Sequence, residues 1–211
     1  MGVPHVLLRT TGCNLRCEFH SSRCDTPYTS WWQEAATISE NEAITLIDAH
    51  SQIRHILLTG GEPTLQRELP RFISKLKERG KFVTVETNGT RMIDAPIDLL
   101  SISPKLSNSY PREGMLEEKI HRTNNVFEPK LLDRYDFQLK PVISKAEDLS
   151  EVDAFVKLYQ ISPDRVWIMP EGTSQEELAA VRKCIVAHAI TRGYNYSDRL
   201  HIVIYGNRRG V

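Results

Sequence analysis

The chain has 211 residues with 27 basic and 27 acidic side chains, so its formal net charge is zero. Its 40% hydrophobic residues and mean hydropathy of -0.36 are typical of a soluble globular protein, not of a disordered or membrane-spanning one. No apolar run reaches the roughly 18 residues of a spanning helix, and the N-terminus lacks a secretory signal. We therefore expect a cytoplasmic protein with no membrane partner. The balanced charge argues against a nucleic-acid partner, which favours a small-molecule ligand.

Short apolar, β-prone runs alternate with amphipathic helical patterns along the chain. The alternation predicts an α/β fold, either an open sheet or a partial barrel, with about six to seven mostly parallel strands in a single domain over 1–211. The predicted strands are 6–8, 55–59, 82–86, 97–102, 137–143, 166–169 and 200–205.

Helix boundaries are also marked in the sequence. The pattern Ser/Thr-x-x-Glu predicts a helix start, and Gly80 and Gly193 are suitable stops. Residues 103–125 are rich in Pro, Ser, Asn and charge with little apolar period, which predicts a long loop. The predicted capping pairs are Ser39 with Glu42, Ser144 with Glu147, and Thr173 with Glu176.

Cys13, Cys17 and Cys24 crowd into one short segment directly after the first predicted strand. In a sequence of cytosolic type, clustered thiols indicate a metal or redox site. Thiolates suit zinc, whose fourth position His20 could fill, or an iron–sulfur cluster with one open iron. Cys184 lies in a helical pattern, so we expect it to be a buried core thiol.

The segment Thr59-Gly60-Gly61-Glu62-Pro63 follows the second predicted strand. Alone it predicts a tight turn, or a close approach of bare backbone and Glu62 to a ligand. Together with the cysteine loop it resembles the radical S-adenosylmethionine (SAM) superfamily. The resemblance implies a partial (β/α) barrel in which Cys13, Cys17 and Cys24 hold a 4Fe-4S cluster within the loop 10–30 and Gly60, Gly61 and Glu62 bind S-adenosyl-L-methionine.

Further motifs, spread over most of the chain, resemble the 7-carboxy-7-deazaguanine synthase family within this superfamily. This resemblance implies conversion of 6-carboxy-5,6,7,8-tetrahydropterin to 7-carboxy-7-deazaguanine with loss of ammonia, for queuosine or other 7-deazapurines. It also implies SAM as a regenerated cofactor, Mg²⁺, an electron donor such as flavodoxin with its reductase, and a homodimer. The motifs are residues 9–15, 24–28, 86–90, 103–105, 169–172 and 200–211.

The same resemblance assigns roles to residues at the strand ends. The tail 200–211 enters the active site, and Thr26 binds Mg²⁺ together with the substrate carboxylate. His201 alternates with Leu200 and Ile202, so on a strand we expect it to lie on the face opposite these two apolar residues. The resemblance implies that it faces the substrate. The implied SAM contacts are Glu86, Ser103 and Lys105. The implied substrate contacts are Arg9, Asp25, Thr59, His201 and the terminal carboxylate of Val211.

The cysteine spacing departs from the superfamily's usual C-x3-C-x2-C, because six residues separate Cys17 from Cys24 and His20 stands where the third cysteine is expected. Either an insertion leaves Cys24 as the ligand, or His20 replaces it. Thiolate is the better cluster ligand, which favours Cys24. The family's N-terminal Gln-Gly-Glu-Gly turn has no counterpart in this sequence. Two alternatives therefore stay open, namely another radical SAM enzyme of the glycyl-radical activating type and a noncatalytic metal-binding module.

Overall fold

A computed structural model describes residues 3–19, 22–35 and 37–208. The strands are β1 (His5–Thr10), β2 (Glu18–Phe19), β3 (Ser22–Arg23), β4 (His55–Gly60), β5 (Phe82–Thr87), β6 (Leu99–Ile102), β7 (Phe137–Leu139), β8 (Val142–Ile143), β9 (Trp167–Pro170) and β10 (Asn195–Tyr196). The helices are α1 (Glu40–Ala49), α2 (Leu69–Glu78), α3 (Leu116–Asn124), α4 (Lys130–Arg134), α5 (Asp148–Leu158), α6 (Gln175–Arg192) and α7 (Leu200–Tyr205).

The main strands form a parallel series. β1, β4, β5, β6 and β7 pair in that order, and each neighbouring pair is parallel. A bridge from Leu139 to Val166 joins β7 to the start of β9, and β9 pairs in parallel with both β8 and β10. The α/β fold with a mostly parallel sheet is thus confirmed. Because the strands are parallel, their carboxyl ends meet at one edge, where such folds bind ligands.

Helices cover this sheet through apolar faces. On α2 the residues Leu69, Ile73 and Leu76 recur at helical spacing and are buried, and the helix packs on β5. Val83 of β5 is fully buried in the same core. Burying each such side chain contributes about 1.5–3 kcal/mol, so the core holds the strand ends in fixed positions. Within the described residues, no helix is both long enough and apolar enough to cross a membrane.

The predicted strand over 200–205 is wrong, because this segment forms the helix α7. The Arg199 carbonyl accepts hydrogen bonds from the backbone N–H groups of Ile202 (2.9 Å) and Val203 (3.3 Å). Ile202 is buried, whereas Leu200 and Ile204 are exposed, so the alternation of apolar residues does not mark one face of a strand. The last strand of the series is instead β10, whose two residues are too few to show a period.

The predicted loop over 103–125 is also partly wrong, because it contains α3. This helix buries the polar side chains Glu118 and His121 in place of an apolar stripe. A hydrophobic period therefore could not reveal it. A short 3-10 turn, Ser107–Ser109, precedes it in the same segment.

The capping predictions meet different outcomes. The box of Ser39 with Glu42 ahead of α1 is confirmed. Ahead of α6 the box lies one residue later than predicted and is formed by Ser174 with Glu177. The N-cap residue determines which backbone N–H groups at the helix start are capped. The shift therefore moves the start of α6 by one residue and leaves the fold unchanged.

Ahead of α5 the predicted box at Ser144 is wrong. The buried Asp148 carboxylate instead accepts hydrogen bonds from the backbone N–H groups of Ser144 (2.8 Å) and Lys145 (3.1 Å). The predicted stop at Gly193 is confirmed, because this residue ends α6 with a left-handed φ of 71°.

Candidate active site

The cysteine loop closes on itself through a small hairpin. β2 and β3 pair antiparallel with Glu18 opposite Arg23, and the next bond runs from the Cys24 N–H to the Cys17 carbonyl at 3.0 Å. Cys17 and Cys24 therefore stand opposite each other at the base of the hairpin, although six residues separate them in sequence. The hairpin therefore brings the chain back to the level of Cys17 despite the long spacing. His20 lies outside the described residues.

Two aromatic and backbone contacts anchor this hairpin. The Trp31 indole N–H donates to the Cys17 carbonyl at 3.0 Å, and the Arg23 guanidinium lies 4.4 Å from the centre of the Trp31 ring. At the other side of the loop the Gly12 N–H donates to the Thr29 carbonyl at 2.8 Å. The segment after Cys24 thus folds back on the start of the loop and fixes its shape.

The three thiols lie close enough to influence one another. Burial, the largest cause, raises the pKa of Cys13 to about 11, and Glu62 and Cys24 add to this rise. Burial likewise raises the pKa of Cys17, and both other thiols contribute. The pKa of Cys24 is raised by burial and by Asp25. The free thiols are therefore neutral, so any metal that they bind must displace their protons.

Among the described residues, no three His, Cys, Asp or Glu side chains converge on a point where a single metal ion could be held. A zinc ion needs its three or four donors around one point. The thiolates that hold a 4Fe-4S cluster are instead spread around the cluster, one on each iron. The three free thiols of the loop are a donor set that suits such a cluster, whereas the fourth donor considered for zinc, His20, lies outside the described residues.

Two glycines after β4 pack directly against the cysteine loop. The Gly61 N–H donates to the Thr10 carbonyl at 3.2 Å, and the Glu62 N–H donates to the Gly12 carbonyl at 2.8 Å. A Cβ atom on Gly61 would lie 2.2 Å from the Gly12 oxygen, and one on Gly60 would lie 2.3 Å from the Thr10 oxygen. The glycines are required because backbone meets backbone here.

Glu62 joins the ends of two strands. It is fully buried, and its Oε1 accepts from the Thr64 N–H (3.1 Å), the Thr64 hydroxyl (2.7 Å) and the Thr87 hydroxyl (2.8 Å). Its Oε2 accepts from the Asn88 N–H at 2.7 Å. The Asn88 side chain in turn donates to Asn14 Oδ1 at 2.9 Å, which connects this network to the cysteine loop. The carboxylate is occupied by protein donors and holds the surrounding backbone in place.

Polar side chains occupy the same level of adjacent strands at the carboxyl edge of the sheet. Arg9 is in register with Thr59, whose hydroxyl donates to Glu86 Oε2 at 3.0 Å. Glu86 is in register with Ser101, and Ser101 with Gln138. This polar row (Arg9, Thr59, Glu86, Ser101 and Gln138) crosses the sheet beside the cysteine loop.

The charge of Glu86 is balanced by Lys140, which forms an ion pair with Glu86 Oε1. Burial acts to raise the pKa of Glu86, but the Lys140 ammonium, the Thr59 hydroxyl and the Arg9 charge together hold this pKa below its ordinary value. Glu86 is therefore anionic at neutral pH, and its charge is compensated within the site.

A second cation lies beside the cysteines. The Lys105 ammonium donates to the Ser103 hydroxyl at 2.8 Å, and the Ser103 N–H donates to the Thr87 carbonyl at 2.8 Å. The positive charge of Lys105 acts to lower the pKa of Cys17 and of the other two loop thiols. Ser103 and Lys105 therefore border the same space as the thiols.

Asp25 follows Cys24 and forms an ion pair with Arg199, the residue before α7. Burial acts to raise the pKa of Asp25, but the charges of Arg199 and Arg9 hold it below its ordinary value. His201 lies on the first turn of α7, and its pKa is lowered by partial desolvation beside the loop and by the Arg199 charge. The C-terminal helix thus presents its polar end to the cysteine loop.

The Thr26 hydroxyl lies 3.5 Å from Cys24 Sγ and 3.5 Å from the Thr29 hydroxyl. The contact with sulfur is of ordinary length and the contact with the Thr29 hydroxyl is long. Because a hydroxyl oxygen carries two acceptor lone pairs, Thr26 Oγ1 can accept a further contact. A cavity of about 360 Å³ opens beside Cys24 and Asp25 and extends to Thr173 and Asn207. This cavity gives a small molecule access to the loop.

Comparison with known proteins decides the family. Residues 7–128 match the model of the radical SAM superfamily. A 7-carboxy-7-deazaguanine synthase of Rhodopirellula baltica is 39% identical over 100% of this chain and 82% of its own length, and one of Halobacterium salinarum is 37% identical over 98% and 84%. The chain belongs to the 7-carboxy-7-deazaguanine synthase family. The crystal structure of QueE from Escherichia coli, with a TM-score of 0.63 and 21% identity over 94% of this chain and 86% of that one, shows the same fold.

Membership in the radical SAM superfamily implies a 4Fe-4S cluster and SAM as cofactors. In this synthase-family chain the described structure brings nearly all predicted site residues to one edge of the sheet. Val211, predicted to contact the substrate, lies outside the described residues. The residues that come together are Arg9, Cys13, Cys17, Cys24, Asp25, Thr26, Thr59, Gly60, Gly61, Glu62, Glu86, Ser103, Lys105 and His201.

Two charged residues of this synthase site were missed by the sequence reasoning. Lys140 stands between β7 and β8, inside what the apolar pattern predicted as one continuous strand. A charged residue followed by Pro141 in such a run is the signal that could have shown a strand end there. For Arg199 the sequence carries no comparable signal, because its role depends on a contact with Asp25, which is 174 residues away in the chain.

Proposed function

We propose that this chain converts 6-carboxy-5,6,7,8-tetrahydropterin to 7-carboxy-7-deazaguanine with release of ammonia, in the biosynthesis of queuosine or another 7-deazapurine. The observation that carries the proposal is the 39% identity to a 7-carboxy-7-deazaguanine synthase over the whole chain. When bound, the cluster and SAM supply the 5′-deoxyadenosyl radical that starts the reaction. The chain itself binds, orients and shields the reacting molecules.

Cys13, Cys17 and Cys24 hold the cluster in this proposal, and the hairpin that sets Cys24 opposite Cys17 supports the choice of Cys24. The backbone at Gly60 and Gly61 contacts SAM in this proposal on the strength of the family likeness, and the close packing of both glycines on Thr10 and Gly12 fixes that backbone against the cysteine loop. Glu62 supports that backbone, since its carboxylate is already occupied by protein donors.

The other SAM contacts come from the neighbouring strand ends. Lys105 and Ser103 border the thiols, and a positive charge at this place suits the SAM carboxylate. Glu86 accepts hydrogen bonds from SAM hydroxyl groups, because its anionic form is held by Thr59 and Lys140.

The substrate site is formed by Arg9, Asp25, Thr59 and His201. Arg9 is exposed at the mouth of the site and offers a planar pair of donors that fits a carboxylate. Asp25, held anionic, accepts hydrogen bonds from the N–H groups of the pterin. His201, whose lowered pKa favours the neutral ring, offers one donor and one acceptor. The family likeness adds the terminal carboxylate of Val211.

The reaction is tested by anaerobic reconstitution with iron and sulfide, followed by incubation with SAM, dithionite, Mg²⁺ and 6-carboxytetrahydropterin. Mass analysis is expected to show 7-carboxy-7-deazaguanine only when both SAM and reductant are present. A matched pair of thiol variants provides the control. Cys17→Ala is expected to abolish product. Cys184→Ala is expected to retain it, because Cys184 belongs to α6, where its thiol donates to the Val181 carbonyl, and is not part of the cysteine loop. SAM cleavage without deazaguanine would contradict the proposed substrate.

Thr26 is the proposed Mg²⁺ ligand, because its hydroxyl is a hard oxygen donor with two lone pairs at the position that the family likeness assigns to the ion. A cation that keeps most of its waters needs a single protein oxygen together with the substrate carboxylate. We expect Thr26→Ser to keep the stimulation by Mg²⁺ and Thr26→Val to lose it, measured as the ratio of product with Mg²⁺ to product with a chelator. Equal stimulation in the two variants would contradict the assignment.

The partners and the compartment are proposed with the reaction. Flavodoxin with its reductase supplies the electron, and a cytoplasmic location is supported by the free thiols of Cys13, Cys17, Cys24 and Cys184 in the described structure. The chain forms a homodimer, for which the exposed apolar residues Leu200 and Ile204 of α7 are the support. Light scattering on the reconstituted protein tests the dimer, and a monomer at micromolar concentration would contradict it.

A further inference from the structure

Arg199 carries a buried charge next to the cysteine loop. Its side chain is only 8% exposed, and its Nη2 forms an ion pair with Asp25 Oδ2. Its Nε is buried and, among the described residues, has no hydrogen-bond partner. A buried guanidinium with an unused donor costs stability, and well-packed apolar residues would cost less. The burial of the Arg199 side chain beside the cysteine loop is therefore better explained by a role in the site than by a gain in stability.

The fold fixes the backbone of Arg199 from the other side. The Arg199 N–H donates to Asp198 Oδ1 at 2.8 Å. Asp198 is held in turn by Arg182 of α6, whose Nη2 lies 3.0 Å from Asp198 Oδ2 and whose Nε donates to the Tyr196 hydroxyl at 3.3 Å. These contacts set the point from which the Arg199 side chain reaches the loop.

Through Asp25 this side chain reaches the substrate end of the loop. Asp25 lies between Cys24 and Thr26 in sequence, and Arg199 holds its Oδ2. This ion pair does not depend on the protonation of Cys24, so it persists when Cys24 is a thiolate ligand. Without Arg199 the Asp25 side chain would lose its partner and the orientation that the proposed substrate contact requires.

We propose that Arg199 is a positioning residue of the substrate site, which holds the Asp25 carboxylate in place and so links the docking of α7 to substrate binding by the cysteine loop. The inference rests on the proposed function, because it takes Asp25 as a substrate contact. Arg199 acts through Asp25, so its contribution disappears when the Asp25 carboxylate is absent.

A double-mutant cycle measures this dependence. The dissociation constant of 6-carboxytetrahydropterin is determined by calorimetry on the anaerobically reconstituted, SAM-loaded protein without reductant. Arg199→Gln is expected to weaken binding about tenfold, the loss typical of one charge-assisted hydrogen bond. Arg199→Lys restores part of the affinity, because it keeps the charge but loses the planar donor pair. In an Asp25→Asn background, Arg199→Gln changes the dissociation constant less than twofold.

Activity provides a second measurement. Arg199→Gln raises KM for the pterin by about the same factor as the dissociation constant, while iron content and SAM cleavage without pterin stay as in the wild type. The matched control is Arg165→Gln. Arg165 lies just before β9 and forms a surface ion pair with Asp136, so we expect its substitution to leave KM unchanged.

Several results would overturn the inference. An equal loss of affinity in the Asp25→Asn background, or an unchanged KM in Arg199→Gln, would show that Arg199 does not act through Asp25. Loss of the cluster in both Arg199→Gln and Arg199→Lys would show that Arg199 is needed for folding of the C-terminal segment and not for positioning Asp25. A wild-type protein that forms no 7-carboxy-7-deazaguanine contradicts the proposed function, and the inference with it, whereas an active wild type with unaffected Arg199 variants contradicts the inference alone.

Discussion

At the scale of single residues, Gly61 controls how closely two loops approach. An alanine Cβ there would lie 2.2 Å from the Gly12 oxygen and 2.9 Å from the Thr29 oxygen, so backbone would have to move on both sides. We expect Gly61→Ala to cost about 1–3 kcal/mol in the free energy of unfolding. Because Gly61 also lies in the proposed SAM site, we expect SAM affinity to fall at least tenfold, as measured by calorimetry on the reconstituted protein.

Gly80→Ala is the control for this change. Gly80 has a left-handed φ of 68°, but no atom lies within 4 Å of the Cβ position. Its substitution therefore costs about 1 kcal/mol of backbone strain and leaves SAM affinity unchanged. Wild-type SAM affinity in Gly61→Ala would show that the contact between Gly61 and the cysteine loop tolerates movement, and that a glycine is not required there.

At the scale of elements, the hairpin β2–β3 depends on Trp31. Trp31→Phe removes the indole N–H that donates to the Cys17 carbonyl, while an aromatic ring remains beneath Arg23. The lost hydrogen bond is worth about 1 kcal/mol, so we expect the cluster to be removed by a chelator several-fold faster. The decay of the iron–sulfur absorbance measures this rate.

Trp167→Phe provides the comparison, because Trp167 begins β9, at the edge of the sheet opposite the strand carboxyl ends, where it is in register with Asn195. We expect its rate of cluster loss to equal that of the wild type. If both variants lose the cluster at the same rate, the Trp31 hydrogen bond is not what stabilises the loop.

The helix α3 introduces a pH dependence through His121. This side chain is fully buried against Tyr110, and burial, the largest cause, lowers its pKa from 6.5 to about 4. Since the folded-state pKa is below the unfolded value, the unfolded chain binds more protons between these two values. Stability is therefore complete above about pH 6.5 and falls as the pH is lowered towards 4, by up to about 3 kcal/mol.

The midpoint of urea unfolding between pH 7 and pH 5, measured anaerobically, tests this dependence. His121→Phe keeps an aromatic ring but cannot be protonated, so its midpoint should change less with pH than that of the wild type. Replacement of the exposed His50 by Gln should leave the wild-type slope intact. An unchanged slope in His121→Phe would assign the pH dependence to other groups.

At the scale of the whole molecule, the sequence predicts the features that depend on neighbours in the chain. The parallel strands, the cysteine loop and the glycines after β4 are local patterns, and the comparison with synthases of 39% and 37% identity confirms the family that they indicate. Part of the polar row follows from the same logic, because Thr59 and Glu86 each end a predicted strand, whereas Ser101 and Gln138 lie inside theirs and were not predicted.

Features that depend on distant contacts could not be predicted in this way. The helix α7 has the alternating sequence of a strand, and only its packing through Ile202 shows its true conformation. α3 buries His121 in place of apolar residues, so its period is hidden. Lys140 and Arg199 gain their roles from Glu86 and Asp25, which are far away in the sequence.

The central claim is that Cys24, brought opposite Cys17 by the hairpin, completes the cluster of a 7-carboxy-7-deazaguanine synthase. The most direct measurement compares 7-carboxy-7-deazaguanine formation by reconstituted wild type, Cys24→Ala and His20→Ala, with iron content determined on the same samples. We predict product from the wild type and from His20→Ala and none from Cys24→Ala. Product from Cys24→Ala with none from His20→Ala would contradict the ligand assignment, and a wild type that binds iron and cleaves SAM without forming the deazaguanine would contradict the function.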